Sequence, residues 1–232
     1  TKERLMYGNW EYDDDPTALI AYDAIVDLFT NTIVGDETRY LVVDVARYGG
    51  DKTVMTYWKG LKSYRVETLV KQNTAQTSEA IRRASREEQI PFSQILIDED
   101  GVGGGVVDQL PGVKGFIANS TPFEVRDTRN TGKRPDNYQN LKAQCAYTLS
   151  DRVNNHEMSI EWDDERAKEM LIEELEQIKS KDLDNDSKRK VIGKEEIKEK
   201  IGRSPDYSDC LLMRMYFEFK PQGYNGILKT SY

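Results

Sequence analysis

The chain has 232 residues, 38% hydrophobic and 32% charged, with a formal net charge of −8. That length suits one large domain or two small ones, and no apolar run approaches the ~18 residues that would span a membrane. The acidic balance argues against a generic nucleic-acid coat. The single histidine, His156 in a polar turn, makes Ser-His-Asp, Cys-His and zinc-His chemistry poor fits.

The opening Thr1-Lys2-Glu3-Arg4 has neither a Met nor an apolar leader core, so a piece of a longer chain, or a processed one, is expected. Residues 1–37 read as a lead-in, with an aromatic turn at Gly8-Asn9-Trp10-Glu11-Tyr12. Asp13-Asp14-Asp15-Pro16 then caps a predicted helix of roughly 17–30, with Leu19, Ile20, Ile25, Leu28 and Phe29 on its apolar face. Three β-like runs follow at about 39–46, 52–59 and 62–70, separated by Gly49-Gly50-Asp51 and by Lys59-Gly60-Leu61-Lys62. Short turns between consecutive runs predict an antiparallel meander.

Thr77 to Glu88 is an amphipathic helix, Ile95 to Asp98 a fourth strand, and Gly103-Gly104-Gly105 opens a short helix ending near Leu110. Gly115 to Ala118 is a fifth strand, and Asn119 to Asn137 a polar loop. Leu141 to Val153 and Asp163 to Ile178 are helices, with a short edge strand at Ser159-Ile160 between them. Residues 179–193 resemble a basic surface hairpin, and Lys194 to Lys200 a helical turn. Ser204 as N-cap with Pro205 at N1 opens a final helix to about Phe219. Three antiparallel strands followed by strand–helix–strand crossovers predict an α/β domain over 38–220: a mixed sheet with helices on both faces, followed by a tail at 221–232. Cys145 and Cys210 fall in helical patterns among small or apolar neighbours and read as reduced core thiols of a cytosolic protein.

Three aspartates stand where folding alone would not put them. Asp44 lies in Tyr40-Leu41-Val42-Val43-Asp44-Val45-Ala46, Asp98 ends Ile95-Leu96-Ile97, and Asp209 follows Ser204-Pro205-Asp206-Tyr207-Ser208 beside an apolar helical stripe. A carboxylate among core residues costs free energy unless paired, hydrogen-bonded or metal-bound. The plain alternatives are a strand-end Asp for Asp44 and helix-dipole stabilisation, worth ~0.3–1 kcal/mol, for Asp206 and Asp209. The dipole suffices for Asp206; Asp209, at the margin of the core, asks for more. Asp51 after Gly49-Gly50 is ordinary turn chemistry first. Of Asp98-Glu99-Asp100, only Asp98 continues a buried face at a strand's carboxyl end. The glycines at 103–105 lack a following Lys-Ser/Thr, so they form no Walker A loop, and close strand–helix packing explains them at least as well as a phosphate cradle. An all-carboxylate set suits Mg²⁺ or Mn²⁺, and two such ions about 3.5–4 Å apart can clamp a scissile phosphate.

These segments, in this order and spacing, resemble the C-terminal nuclease domain of the phage terminase large subunit, which has the RNase H-like (retroviral integrase) fold. The resemblance rests on Arg4-Leu5-Met6-Tyr7-Gly8-Asn9-Trp10, on Val42-Val43-Asp44-Val45-Ala46 with Gly49-Gly50-Asp51-Lys52-Thr53, on Ile97-Asp98 with Gly101-Val102-Gly103 and Val107-Asp108-Gln109-Leu110, and on Gly202-Arg203-Ser204-Pro205-Asp206-Tyr207-Ser208-Asp209. It covers nearly the whole chain. It implies Asp44, Asp98 and Asp209 as catalytic metal ligands for two Mg²⁺ or Mn²⁺ ions, with Asp51 and Asp206 as auxiliaries. It also implies that the basic segment 179–193 is a hairpin near the DNA path; Lys188, Arg189 and Lys190 within it, with Lys194 and Arg203 beyond it, are the expected DNA contacts. The activity implied is metal-dependent cutting of concatemeric double-stranded viral DNA in the host cytoplasm during virion assembly. The small subunit and portal would be met through the full-length protein. The family's ATPase is not in this sequence, so packaging itself is expected of a parent protein. The rivals are another RNase H-like nuclease of resolvase or transposase type, an actin-like kinase, and a non-catalytic portal or capsid docking module. The Gly-Asn-Trp and Ser-Pro-Asp-Tyr segments disfavour the first. The second lacks a further Asp-Gly phosphate loop, and replacing the aspartates would leave the third unaffected.

Overall fold

β1 (Arg39–Asp44), β2 (Lys52–Lys59) and β3 (Lys62–Val70) form the antiparallel meander, with Asp44 opposite Val54 and Lys52 opposite Val70. The computed structural model describes residues 15–34, 36–46, 52–124, 137–181 and 188–219. Asp51, the aromatic turn at 8–12, residues 125–136, the segment 182–187 and the tail expected at 221–232 lie outside the described residues. Gly60 turns β2 into β3 at φ +54, where a Cβ would stand 2.9 Å from the Asp36 carbonyl oxygen, so the turn takes only glycine.

β4 (Ile95–Asp98) runs parallel to β1, and β5 (Lys114–Phe116) parallel to β4. β6 (Ser159–Ile160) adds a short parallel edge beside β3, giving a six-stranded sheet of order β5-β4-β1-β2-β3-β6. Seven α-helices appear among the described residues: α1 (Tyr22–Asp27), α2 (Thr74–Glu87), α3 (Gly103–Asp108), α4 (Leu141–Asn154), α5 (Glu165–Leu175), α6 (Lys194–Ile201) and α7 (Asp206–Arg214).

Strand alternation sends successive side chains to two separate cores. Tyr40, Val42, Val54, Trp58 and Leu96 pack against Ile25 of α1, Cys145 and Leu149 of α4, Leu171 of α5 and Leu211 of α7. Leu41, Val43, Met55, Ile95 and Ile97 face the other way, onto Ile81 of α2 and Val106 of α3. Both faces are therefore covered, as a sheet with parallel strands requires. Cys145 and Cys210 are buried and free. Among the described residues, no helix is long and apolar enough to cross a membrane.

Several boundaries differ from expectation, and four of them have a local reason. α1 starts at Tyr22 because the chain before it spends its donors elsewhere: Thr17 on Asp15, Leu19 on the Ile178 carbonyl and Ala21 on the Asn154 side chain. α2 begins earlier, at Thr74, behind a capping box in which Asn73 and Gln76 exchange hydrogen bonds. β1 stops at Asp44, so that residue ends the strand rather than standing inside it; beyond it, Ala46 donates to the Thr53 hydroxyl. α7 has Pro205, not Ser204, at its N-cap, with no side-chain cap from that residue.

Candidate active site

Alternation delivers Asp44 and Asp98 to one face. Tyr40 and Val42 point to the face covered by α7, so Asp44 does too; Leu96 points there, so Asp98 follows. Val43 pairs with Ile97, and one further step brings the two carboxylates to the carboxyl ends of neighbouring parallel strands. α7 crosses β1 and β2 on this face and brings Asp206 and Asp209 from its first turn. Of the glycines at 103–105, Gly103 serves close packing: a Cβ there would lie 1.6 Å from the Asp98 carbonyl oxygen, whereas one on Gly104 or Gly105 would make only ordinary contacts.

The centre of this carboxylate group is an ammonium. Lys194, the first residue of α6, places Nζ 3.3 Å from Asp44 Oδ2, 3.4 Å from Asp206 Oδ1 and 3.0 Å from Asp209 Oδ2. Lys142, on α4, reaches Asp209 Oδ1 at 3.0 Å. Asp98 stands at the rim, where its Oδ1 accepts the Asp100 N–H at 3.1 Å.

Burial governs the protonation of this group. Asp44 is only 4% exposed, and burial pushes its carboxyl well above the usual range, against the pull of Lys194. Burial likewise raises Asp206, and it raises Asp98 to about 6. Asp209 goes the other way: burial would raise it, but Lys142 and Lys194 outweigh that and hold it at about 2. Burial would lower Lys194, yet Asp209, Asp44 and Asp206 hold it far above its ordinary value. The group is thus a buried cluster of carboxylates around Lys194, with Lys142 as a second cation at Asp209.

That arrangement bears directly on metal binding. Among the described residues, no three His, Cys, Asp or Glu side chains stand at the spacing of a metal-ligand set. Three carboxylates instead surround Nζ at 3.0–3.4 Å, the length of ammonium–carboxylate contacts. Mg²⁺ takes oxygens at about 2.0–2.1 Å, so the ligands would close by roughly 1 Å once the lysine leaves. The donors themselves, all carboxylate oxygens, are of the type hard divalent cations select.

The other residues expected at the site are placed as follows. Lys188 and Arg189 are exposed. The Arg189 guanidinium lies 5.1 Å from the centre of the Tyr147 ring and 6.0 Å from that of Tyr138. Backbone bonds from Lys181 N to Lys190 O and from Ile192 N to Lys179 O pair the two flanks of the expected hairpin. Lys194 and Arg203, expected among the DNA contacts, point elsewhere. Lys194 sits in the carboxylate cluster, and Arg203 is held by Glu174, Glu173 and the Met170 carbonyl. Two residues went unnoticed in the sequence, Lys142 and Glu174. Lys142 carries no distinguishing pattern. Glu174 does: it interrupts the Ala167, Leu171, Leu175 apolar stripe of α5 and is fully buried.

The chain has the fold of phage terminase nuclease domains. It is similar to the nuclease domain of the large terminase subunit gp2 of bacterial virus Sf6 at 22% identity and a TM-score of 0.71, covering 85% of this chain and 98% of that one. A K428A mutant of that domain, with manganese and beta-thujaplicinol, aligns at 22% identity and a TM-score of 0.70 over the same shares of the two chains. The large terminase nuclease from thermophilic phage G20c aligns at 12% identity and a TM-score of 0.50, covering 86% of this chain and 98% of that one. No protein-family model matches the chain, and no curated protein matches its sequence.

Proposed function

We propose that this domain is the nuclease of a phage terminase large subunit, a metal-dependent endonuclease that cuts concatemeric double-stranded DNA during genome packaging. The observation that carries this is the convergence of Asp44, Asp206 and Asp209 on a single cation, Lys194 Nζ, with Asp98 at the neighbouring strand end. The shared fold with terminase nuclease domains, one of them solved with manganese, supports the same reading.

On this reading Asp44, Asp98 and Asp209 hold two Mg²⁺ or Mn²⁺ ions, with Asp206 as an auxiliary. The bound metals would supply an activated water and stabilise the leaving oxygen of the scissile phosphate. Asp44, at the end of an inner strand of the sheet and facing Lys194 together with Asp206 and Asp209, would be one of the residues that hold the ions. Asp98 remains tied to the Asp100 N–H, which fixes its orientation. Lys142 holds Asp209 Oδ1 and Lys194 holds Oδ2, so Asp209 would be oriented by Lys142 when Lys194 leaves. Lys194, whose side chain is one-third exposed, would have to withdraw from these oxygens. Lys188, Arg189 and Lys190 would contact duplex phosphates beside the site. The small subunit, the portal and a place in the host cytoplasm belong to the full-length protein.

The test is plasmid nicking with Mn²⁺, Mg²⁺ or EDTA. Cutting is expected with either metal and none with EDTA; undiminished cutting in EDTA would overturn the metal mechanism.

A further inference from the structure

We infer that Glu174 is a positioning residue for the candidate metal site: from a neighbouring helix it caps the first turn of α7 and so sets the place of Asp206 and Asp209. This rests on the nuclease reading above, in which those aspartates meet metal.

A helix begins with backbone N–H groups that have no partner within it. Side chains at the N-cap normally satisfy one of them. α7 begins at Asp206 behind Pro205, which offers no side-chain acceptor. The Asp209 N–H is the first to find an intrahelical partner, the Pro205 carbonyl at 2.9 Å. The Ser208 N–H, one position earlier, donates instead to Glu174 Oε2 at 2.7 Å. The acceptor is thus supplied by α5, 34 positions back in the chain.

Glu174 itself is fixed. It is fully buried, and its second oxygen is taken by Arg203 Nη1. Arg203 Nη2 continues to Glu173 Oε2 at 2.7 Å and the Met170 carbonyl at 3.0 Å. The end of α5 therefore grips the segment from Arg203 to Ser208 at two points. Asp206 and Asp209 lie on either side of the capped Ser208, so a turn that frays at Ser208 would let both carboxylates drift. A stabilising role alone would call for an apolar residue here, since Glu174 lies on an apolar stripe and burying a polar carboxyl group is costly.

The experiment compares wild type, Glu174→Gln and Glu174→Ala in the whole chain. Amide hydrogen exchange at 206–209 reads the cap, Mn²⁺ binding read by the loss of the free Mn²⁺ electron-spin signal reads the site, and nicking at saturating Mn²⁺ reads the chemistry. Gln keeps an acceptor oxygen and should retain most protection and affinity. Ala should lose Ser208 protection and about ten-fold in Mn²⁺ affinity, the lower end of what outer partners of a metal site cost, with nicking largely recovered once Mn²⁺ saturates. Should the Ala variant not fold, Glu174→Asp keeps the carboxyl group, withdraws the acceptor by one methylene and should behave as Ala does here. A folded Ala or Asp variant with wild-type Ser208 exchange and Mn²⁺ affinity would overturn the inference, as would a Gln variant as impaired as Ala. Wild-type protein that binds no Mn²⁺ would instead overturn the metal reading beneath it, while the exchange data still decide the cap.

Discussion

Lys194 Nζ lies 3.0 Å from Asp209 Oδ2, joining the first residue of α6 to the first turn of α7 across the carboxylate cluster. The ammonium is therefore a resident cation in the place the proposed metals need. Cation and metal compete for the same oxygens, and anything that removes one favours the other.

The Lys194→Met variant should accordingly be less stable without metal, by about 1–3 kcal/mol. That is below the ~3–5 kcal/mol of a fully buried broken pair, because the lysine side chain is 34% exposed. Its melting temperature should rise more on adding Mn²⁺ than that of wild type. Melts with and without Mn²⁺ check this, and a Mn²⁺ response no larger than wild type's would remove Lys194 as a competitor.

Asp44→Asn should abolish nicking while raising the melting temperature of the metal-free protein at pH 7. Burial raises the Asp44 carboxyl far above its ordinary range, so the ionised form is penalised in the fold and not in the unfolded chain. Asn keeps the shape without that cost. Wild-type nicking by this variant would take Asp44 out of the site.

How much of this was legible beforehand differs from residue to residue. Strand alternation in Tyr40-Leu41-Val42-Val43 predicts which face Asp44 takes, and the meander and crossovers follow from turn spacing and run length. Helix starts were less legible where distant partners decide them. The beginning of α1 depends on Ile178 and Asn154, far along the chain, and the cap of α7 comes from Glu174 rather than from Ser204 beside it. Lys194 directly follows the basic segment 179–193, so the sequence groups it with the expected DNA contacts. Only the folded arrangement shows three carboxylates closing on it.

Glu174 also gives a pH dependence. Burial raises its carboxyl from 4.5 to about 8, against the Ser208 N–H and Arg203. Between those values the folded protein keeps a proton that the unfolded chain has released, so this group's contribution to stability falls as pH rises from about 4.5 to 8 and is level outside that window. Gln carries no such proton. The melting temperature of Glu174→Gln relative to wild type should therefore climb between pH 5 and pH 8. A difference that is flat or falling across that window would contradict the assignment.

The last prediction concerns how an acidic domain holds DNA. With a net charge of −8, duplex is repelled over most of the surface. Lys188, Arg189 and Lys190 form the densest basic cluster, but Arg189 also rests on the Tyr147 ring and helps seat the segment. Replacing it would confound anchoring with binding, so the informative variant is Lys188→Glu with Lys190→Glu. Phosphate contacts give affinity that falls with salt and ignores sequence, with a slope of about 0.9 per phosphate neutralised. If both lysines make such contacts, the double variant should bind duplex more weakly, with its salt slope lowered by about 2 and its Mn²⁺ affinity unchanged. Titrations of labelled duplex at several salt concentrations measure this. Unchanged affinity and slope would mean that the cluster is a solvated surface, and would move the duplex contact to Arg126, Arg129, Lys133 and Arg134, outside the described residues.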